Sequence, residues 1–204
     1  MESEHRHLLS AIENEFIQLR YRWALFCQLF DSGQANINLL NKSGSNVFQL
    51  FQKLIIDDVM MTLCRLSDRD KSMGYENASI RNLFKRAKEN LPDETAKEVE
   101  AKLLELDAHM KNISTLRNKA ISHKDLNHAL NTELLPRPTY DELEKSIETV
   151  RKILNSLTSE LLNYSRNYVV VMPVGYDGNK LLHVLAKAHE SKQKDGYDQW
   201  GRPD

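Results

Sequence analysis

The residues of this sequence best suited to chemistry lie in one stretch, LRNKAISHKD, at positions 116–125. It contains Arg117, Asn118 and His123 at the end of a helical pattern. A planar, permanently charged guanidinium suits a phosphate, and a histidine exchanges protons near neutral pH. On an ideal α-helix, residues six apart are separated by about 240° around the axis and about 9 Å along it. Arg117 and His123 would therefore not share a face, but two copies meeting across a two-fold axis would place four such groups around one cleft.

A regular apolar stripe predicts the helix that carries this stretch. Apolar residues recur at alternating spacings of four and three, at Val99, Leu103, Leu106, Met110 and Ile113. This spacing is typical of one face of an amphipathic α-helix. Carried forward, the same stripe reaches Arg117, so an arginine stands where a core residue is due.

Similar patterns predict the other helices. Stripes or apolar runs occupy four further stretches, residues 4–30, 47–68, 79–92 and 139–164. The run at 47–68 is apolar nearly all round, which is typical of the most buried helix of a bundle, and Thr139 with Glu142 predicts a capping box. We expect loops at 31–46, 67–78 and 124–138. The sequence thus predicts an all-α fold, an up-and-down bundle of about four long helices plus one short helix.

Domain organisation and oligomeric state are predicted from the same patterns. Apolar residues between positions 143 and 164 keep a heptad-like register, typical of a seam within a bundle or between paired helices. This seam, with surplus apolar surface, favours a homodimer. We expect residues 1–166 to form the bundle. Residues 167–204 would form a C-terminal extension with a short extended segment, a short helix and a mobile tail.

Composition narrows the classes of function. The formal net charge of −1 provides no overall field toward nucleic acid or membranes, so any such contact depends on a local patch. The two cysteines are too few for a disulfide framework, which favours a reducing cytoplasm. No apolar run has membrane-spanning length. The histidines show no metal-ligand spacing and no phosphate-binding loop occurs, so we expect no metal and no cofactor.

The run RNKAISH, late in a chain of about four long helices, resembles the signature of the HEPN superfamily, an arginine and a histidine four to six residues apart with a polar residue after the arginine. The neighbourhood DDVMMTLCRLSDRD and the following HKD are most similar to the AbiU-type branch, which is associated with abortive phage infection. The resemblance covers roughly residues 5–165.

This resemblance implies a dimeric, metal-independent endoribonuclease that acts as a toxin in phage defence. Arg117 would stabilise the negative charge of the phosphorane, His123 would move protons and Asn118 would orient the phosphate or the histidine. The RNA 2′-hydroxyl would attack, leaving a 2′,3′-cyclic phosphate and a 5′-hydroxyl. An antitoxin of the nucleotidyltransferase type is a common neighbour in this superfamily.

Further charged residues are candidates for binding RNA or for supporting the site. Lys124, Arg81 and Lys85 are candidate substrate-binding residues, and Arg65, Arg69 and Lys71 precede the basic stripe of Arg81, Lys85 and Lys88. Asp58, Arg65 and Asp68 are candidates to brace Arg117 or line the cleft.

Each of these residues also has a purely structural explanation. Basic stripes are common on solvated helix faces. Arg117 could pair with Asp57 or Asp58 as a structural arginine, and His123 could favour the helix C-terminus through its dipole. The alternative function is a non-catalytic helical module that binds a protein or a nucleic acid.

Overall fold

The computed structural model describes residues 2–121, 135–164, 166–170, 172–173, 175 and 177–194. The described residues form six α-helices and one small hairpin. The helices are α1 (Glu2–Phe30), α2 (Gln34–Ser67), α3 (Ile80–Ala87), α4 (Asp93–Leu116), α5 (Tyr140–Leu162) and α6 (Gly178–Lys194). This architecture confirms the all-α prediction.

Helix α2 begins much earlier than the sequence pattern indicates. The loop predicted for residues 31–46, with a turn of helix in it, is limited to 31–33, because the helix starts at Gln34 and continues through a kink at Gly44. Leu40 is buried in this segment, and the Ser43 hydroxyl donates to the Leu39 carbonyl oxygen at 2.8 Å. Packing therefore outweighs the low helix propensity of the Asn and Ser residues.

The predicted loop at 67–78 contains a small hairpin whose two strands are two residues long each. Strands β1 (Lys71–Ser72) and β2 (Tyr75–Glu76) are antiparallel, with Lys71 opposite Glu76. Met73 and Gly74 both have positive φ, at 50° and 90°. Such φ values are those of the tight turns that match strand twist.

The chain divides into two compact units, Met1–Arg20 with Asp58–Val169 and Tyr21–Asp57 with Val170–Asp204. The expected division at 166/167 stays a prediction. In the first unit, α4 packs against α5, and the predicted stripe of α4 is buried from Val99 to Ile113. The heptad-like positions of α5 from Leu143 to Leu157 are at most 1 % exposed. This part of the seam is therefore used inside the chain.

The start of α5 confirms the predicted capping box. The Thr139 side chain accepts from the Glu142 backbone N–H, and the Glu142 carboxylate accepts from the Thr139 N–H at 2.7 Å. That carboxylate also accepts from Asn112 of α4 at 2.7 Å. The cap thus fixes where α5 begins and ties it to α4.

In the second unit, α6 contacts both α1 and α2. The Gly178 backbone N–H donates to Gln28 Oε1 at 2.9 Å, and His189 Nε2 lies 3.0 Å from Ser43 Oγ.

The expectation that 47–68 is the most buried helix is wrong for its first half. Four apolar side chains there are 48–53 % exposed, namely Val47, Leu50, Phe51 and Leu54. The apolar character of a helix alone therefore does not show which of its side chains are buried against other elements.

A buried polar cluster joins α1 and α5 to the segment after α5. Glu13 is 2 % exposed, and its carboxylate accepts from the Tyr168 hydroxyl at 2.6 Å and from Arg166 at 2.8 Å. The Thr158 hydroxyl lies 3.0 Å from the same Tyr168 oxygen, and burial raises the pKa of Tyr168. The cluster holds the segment at 166–168 against the bundle.

We expect Tyr168→Phe to lower the free energy of unfolding by about 1–3 kcal/mol, because it leaves a buried carboxylate oxygen without this donor. Denaturant unfolding of the full chain measures the change. Tyr75→Phe is the matched control, since Tyr75 is 80 % exposed and its hydroxyl can be solvated. Equal stability of the two variants would contradict a stabilising role for the Tyr168 hydroxyl.

Candidate functional site

Arg117 lies directly after α4 and pairs with the residue directly after α2. Its Nη2 lies 3.2 Å from Asp68 Oδ1, and the two side chains are 25 % and 37 % exposed. Its Nε is buried and has no hydrogen-bond partner among the described residues. A guanidinium has five N–H donors, so Asp68 orients Arg117 without using all of its hydrogen-bonding capacity.

A buried thiol lies beside the guanidinium. Burial raises the pKa of Cys64, while the Arg117 charge and a hydrogen bond from Ser114 act in the opposite direction. The thiol is therefore protonated near neutral pH and adds no negative charge. Asp68 is then the carboxylate that balances Arg117 within the described contacts.

The chain after α4 leaves α-helical geometry. Residues Arg117–Ile121 form a π-helical turn, and the Arg117 backbone N–H is shared between the carbonyl oxygens of Ile113 and Ser114. Asn118 is exposed on this turn. Because π turns space their residues differently, the α-helical angle per residue does not apply to Arg117–Ile121. Such turns are frequent at functional sites.

A cleft of about 500 Å³ lies next to the Arg117–Asp68 pair. Its walls come from the end of α2, from α3 and from α4, and consist of Ser67, Asp68, Arg69, Arg81, Asp107, Met110, Lys111 and Ser114. Arg81 donates to Asp107 at 2.5 Å and to the Ser67 carbonyl oxygen at 3.2 Å. The cleft is thus lined both by an internal ion pair, Arg81 with Asp107, and by Asp68, the partner of Arg117.

The family model for AbiU2, designated HEPN_AbiU2, matches residues 2–173. The chain belongs to the AbiU2 family of HEPN domains. The matched range contains α1 to α5 and the turn that carries Arg117 and Asn118, whereas α6 lies beyond it. HEPN domains are often dimeric and often act on RNA. Comparisons with curated proteins and with solved structures found no match.

The structure brings only some of the predicted site residues of this AbiU2 domain together. Asp68 contacts Arg117, and the structural explanation in which Asp57 or Asp58 pairs with the arginine stays a prediction. Asp57 pairs with Lys53, and Asp58 is half-buried on α2. The role of Asp58 in the site stays a prediction.

Three basic candidates are engaged in ion pairs. Arg65 pairs with Glu15 of α1 at 2.6 Å, and Arg81 pairs with Asp107 as described. Lys85 Nζ lies 2.5 Å from Asp70 Oδ2. The hydrogen bond between them, and then their opposite charges, raise the pKa of Lys85 and lower that of Asp70. Their binding of RNA stays a prediction.

His123 and Lys124 lie outside the described residues, which end at 121 and resume at 135. The arrangement of Arg117 with His123 therefore stays a prediction. No group of three His, Cys, Asp or Glu side chains within the described ranges could hold a metal ion. No described helix is long and apolar enough to cross a membrane.

Sequence reasoning missed Ser114 and Lys111, which line the cleft of the AbiU2 domain. A signal was present, since Asp107, Lys111 and Ser114 are spaced four and three apart and so share one face of α4. That face ends at the turn carrying Arg117. The apolar stripe drew attention to the adjacent, buried face of the helix, from which Met110 also lines the cleft.

The Cys64 pKa gives a test of these electrostatics. In a Cys27→Ser variant, where Cys64 is the remaining thiol, we expect alkylation by iodoacetamide to show a higher apparent pKa in the folded chain than in guanidinium chloride. Adding Arg117→Gln should raise this pKa further, because the arginine charge favours the thiolate. A folded value below the unfolded one would mean that the Arg117 charge outweighs burial.

Proposed function

We propose that this chain is a metal-independent endoribonuclease of the HEPN type that acts as a toxin in phage defence. Membership of the AbiU2 family supports an RNase or abortive-infection role at the level of the family. The observation that carries the proposal is a guanidinium that is 25 % exposed and is held by Asp68 through Nη2, beside a cleft that Asp68 lines. This arrangement suits an incoming phosphate, which can accept hydrogen bonds from a planar arginine.

In the proposed reaction, His123 accepts the proton of the RNA 2′-hydroxyl as its oxygen attacks the adjacent phosphorus. The bond from phosphorus to the 5′-oxygen of the next nucleotide breaks, and that oxygen receives a proton. The products are a 2′,3′-cyclic phosphate and a 5′-hydroxyl. Arg117 stabilises the charge of the phosphorane, and Asn118, exposed on the same turn, orients the phosphate or the histidine.

Cleavage of RNA in excess EDTA tests this function. We expect the parent chain to cut a mixed pool of labelled RNAs to cyclic-phosphate ends, and Arg117→Ala and His123→Ala each to lower the rate by roughly 10²-fold or more. DNA should stay intact, because it lacks the attacking hydroxyl.

A matched control keeps the cleavage test specific. Lys97→Ala removes an exposed cation from α4 and should cleave at the parent rate. Thermal unfolding and the oligomeric state of every variant are measured beside the activity. If the parent cleaved RNA without EDTA but not with it, the proposed mechanism would be contradicted. Equal cleavage by the parent and both site variants would contradict it as well.

The alternative is a non-catalytic module that binds a protein or a nucleic acid. The Arg117–Asp68 pair favours it, because the ion pair explains a charged residue on the core stripe without any catalysis. On this alternative the parent chain cleaves nothing and Arg117→Ala only lowers stability. A partly exposed ion pair contributes about 0–1 kcal/mol, so measurements of unfolding alone separate the RNase from the binding module poorly. The cleavage assay distinguishes these two functions.

The proposal includes a homodimer in which Arg117 of one protomer acts with His123 of its partner. We expect a mixture of Arg117→Ala and His123→Ala chains, refolded together, to recover up to about a quarter of the parent activity. About half of the molecules would be heterodimers, each with one intact composite site. Light scattering checks the dimer, and the same two variants mixed without exchange give the baseline.

No recovery after verified exchange would mean that both residues act within one chain. Recovery without exchange would point to contamination by parent protein. The proposal also includes an antitoxin of the nucleotidyltransferase type that silences the RNase, and a cytoplasmic location. Co-purification with the native partner tests the antitoxin, and cell fractionation tests the location.

A further inference from the structure

The charged side chains of the cleft differ in whether an opposite charge within the protein neutralises them. Arg81 is neutralised by Asp107 at 2.5 Å, and Asp68 is neutralised by Arg117 at 3.2 Å. Arg69 and Lys111 are exposed, line the same cleft, and form no ion pair with another described residue. They are thus the lining charges that are available to an anion.

Arg69 and Lys111 belong to different elements, and both line the cleft. Arg69 follows α2 directly after Asp68, the partner of Arg117. Lys111 lies on α4, six residues before Arg117, about 9 Å along the axis and about 240° around it. A phosphate between Arg69 and Lys111 would therefore occupy the cleft next to Asp68 and would not be the phosphate held by the guanidinium.

The other groups of the cleft do not oppose this ligand. Ser67 donates its hydroxyl to the Leu63 and Cys64 carbonyl oxygens, so it is engaged within α2. The carboxylates of Asp68 and Asp107 each face a guanidinium within the protein. The cleft with Arg117 therefore carries more positive than negative charge in a chain whose net charge is −1.

We propose that Arg69 and Lys111 form a subsite for a phosphate of single-stranded RNA next to the scissile phosphate. This inference rests on the proposed function, because it takes RNA as the ligand of the Arg117 site. The subsite tracks the backbone and does not read bases, as unpaired surface cations beside a cleft do in proteins that bind single strands.

The test compares two double variants with the same change of charge. Arg69→Gln with Lys111→Gln removes the subsite, and Arg6→Gln with Lys97→Gln removes two exposed cations of the same unit that do not line the cleft. Each is made in the full chain, alone and combined with His123→Ala. The probe is a labelled single-stranded RNA whose binding is followed by fluorescence anisotropy over a range of salt concentrations.

In the His123→Ala background, we expect the subsite variant to weaken binding and to lower the slope of log K against log salt by about 0.7 for each lost phosphate contact. The control variant should match its parent. In the active background, the subsite variant should raise KM with little change in kcat. A fall in kcat at unchanged KM would overturn the assignment, since it would mean that these residues act on the chemical step.

The outcomes separate the subsite from the catalytic proposal. RNA bound through Arg69 and Lys111 but not cleaved by the parent supports the subsite and contradicts the RNase. RNA cleaved with equal affinity and salt slope for both double variants supports the RNase and overturns the subsite. No RNA binding by the His123→Ala chain at low salt overturns the subsite, whatever the parent cleaves.

Discussion

The contact on which the candidate site depends is the ion pair between Arg117 and Asp68. Arg117 continues the apolar stripe of α4, so its carbon stem packs inward while its charged head must meet a partner. Asp68 provides that partner from the first position after α2. One pair therefore joins the ends of two helices and fixes the guanidinium beside the cleft. The π turn then starts at Arg117 itself.

A comparison with Glu13 shows what distinguishes this arginine. Glu13 is almost fully buried, and its two oxygens accept from Tyr168 and Arg166. Such a carboxylate is satisfied within the protein. Arg117 pairs with Asp68 through Nη2, and a quarter of its side chain stays exposed. In the proposed RNase, a phosphate accepts hydrogen bonds from the exposed part of this guanidinium.

The fold was more predictable than the geometry of the site. The stripes of α4 and α5 and the cap at Thr139 follow from local spacing, and the structure confirms them. Helix α2 before Gly44 was not predictable, because Asn and Ser propensities favour a loop and only packing of Leu40 overrides them. Asp68 was one of three candidates to brace Arg117, but which of them pairs with it depends on where α2 ends relative to α4, and the π turn depends on local geometry. Neither leaves a mark in residue spacing.

The basic stripe of α3 shows that the spacing of charges alone does not determine the local electrostatic field. All four basic side chains of α3 and the turn after it are paired with carboxylates: Arg81 with Asp107, Lys85 with Asp70, Arg86 with Glu4 and Glu76, and Lys88 with Glu100. Such exposed pairs contribute little stability, but they cancel the field that a polyanion would feel. Arg69 and Lys111 differ from these cations because they form no ion pair with another described residue. A chain with almost no net charge can thus present a local attraction for a phosphate, provided that its other cations are neutralised.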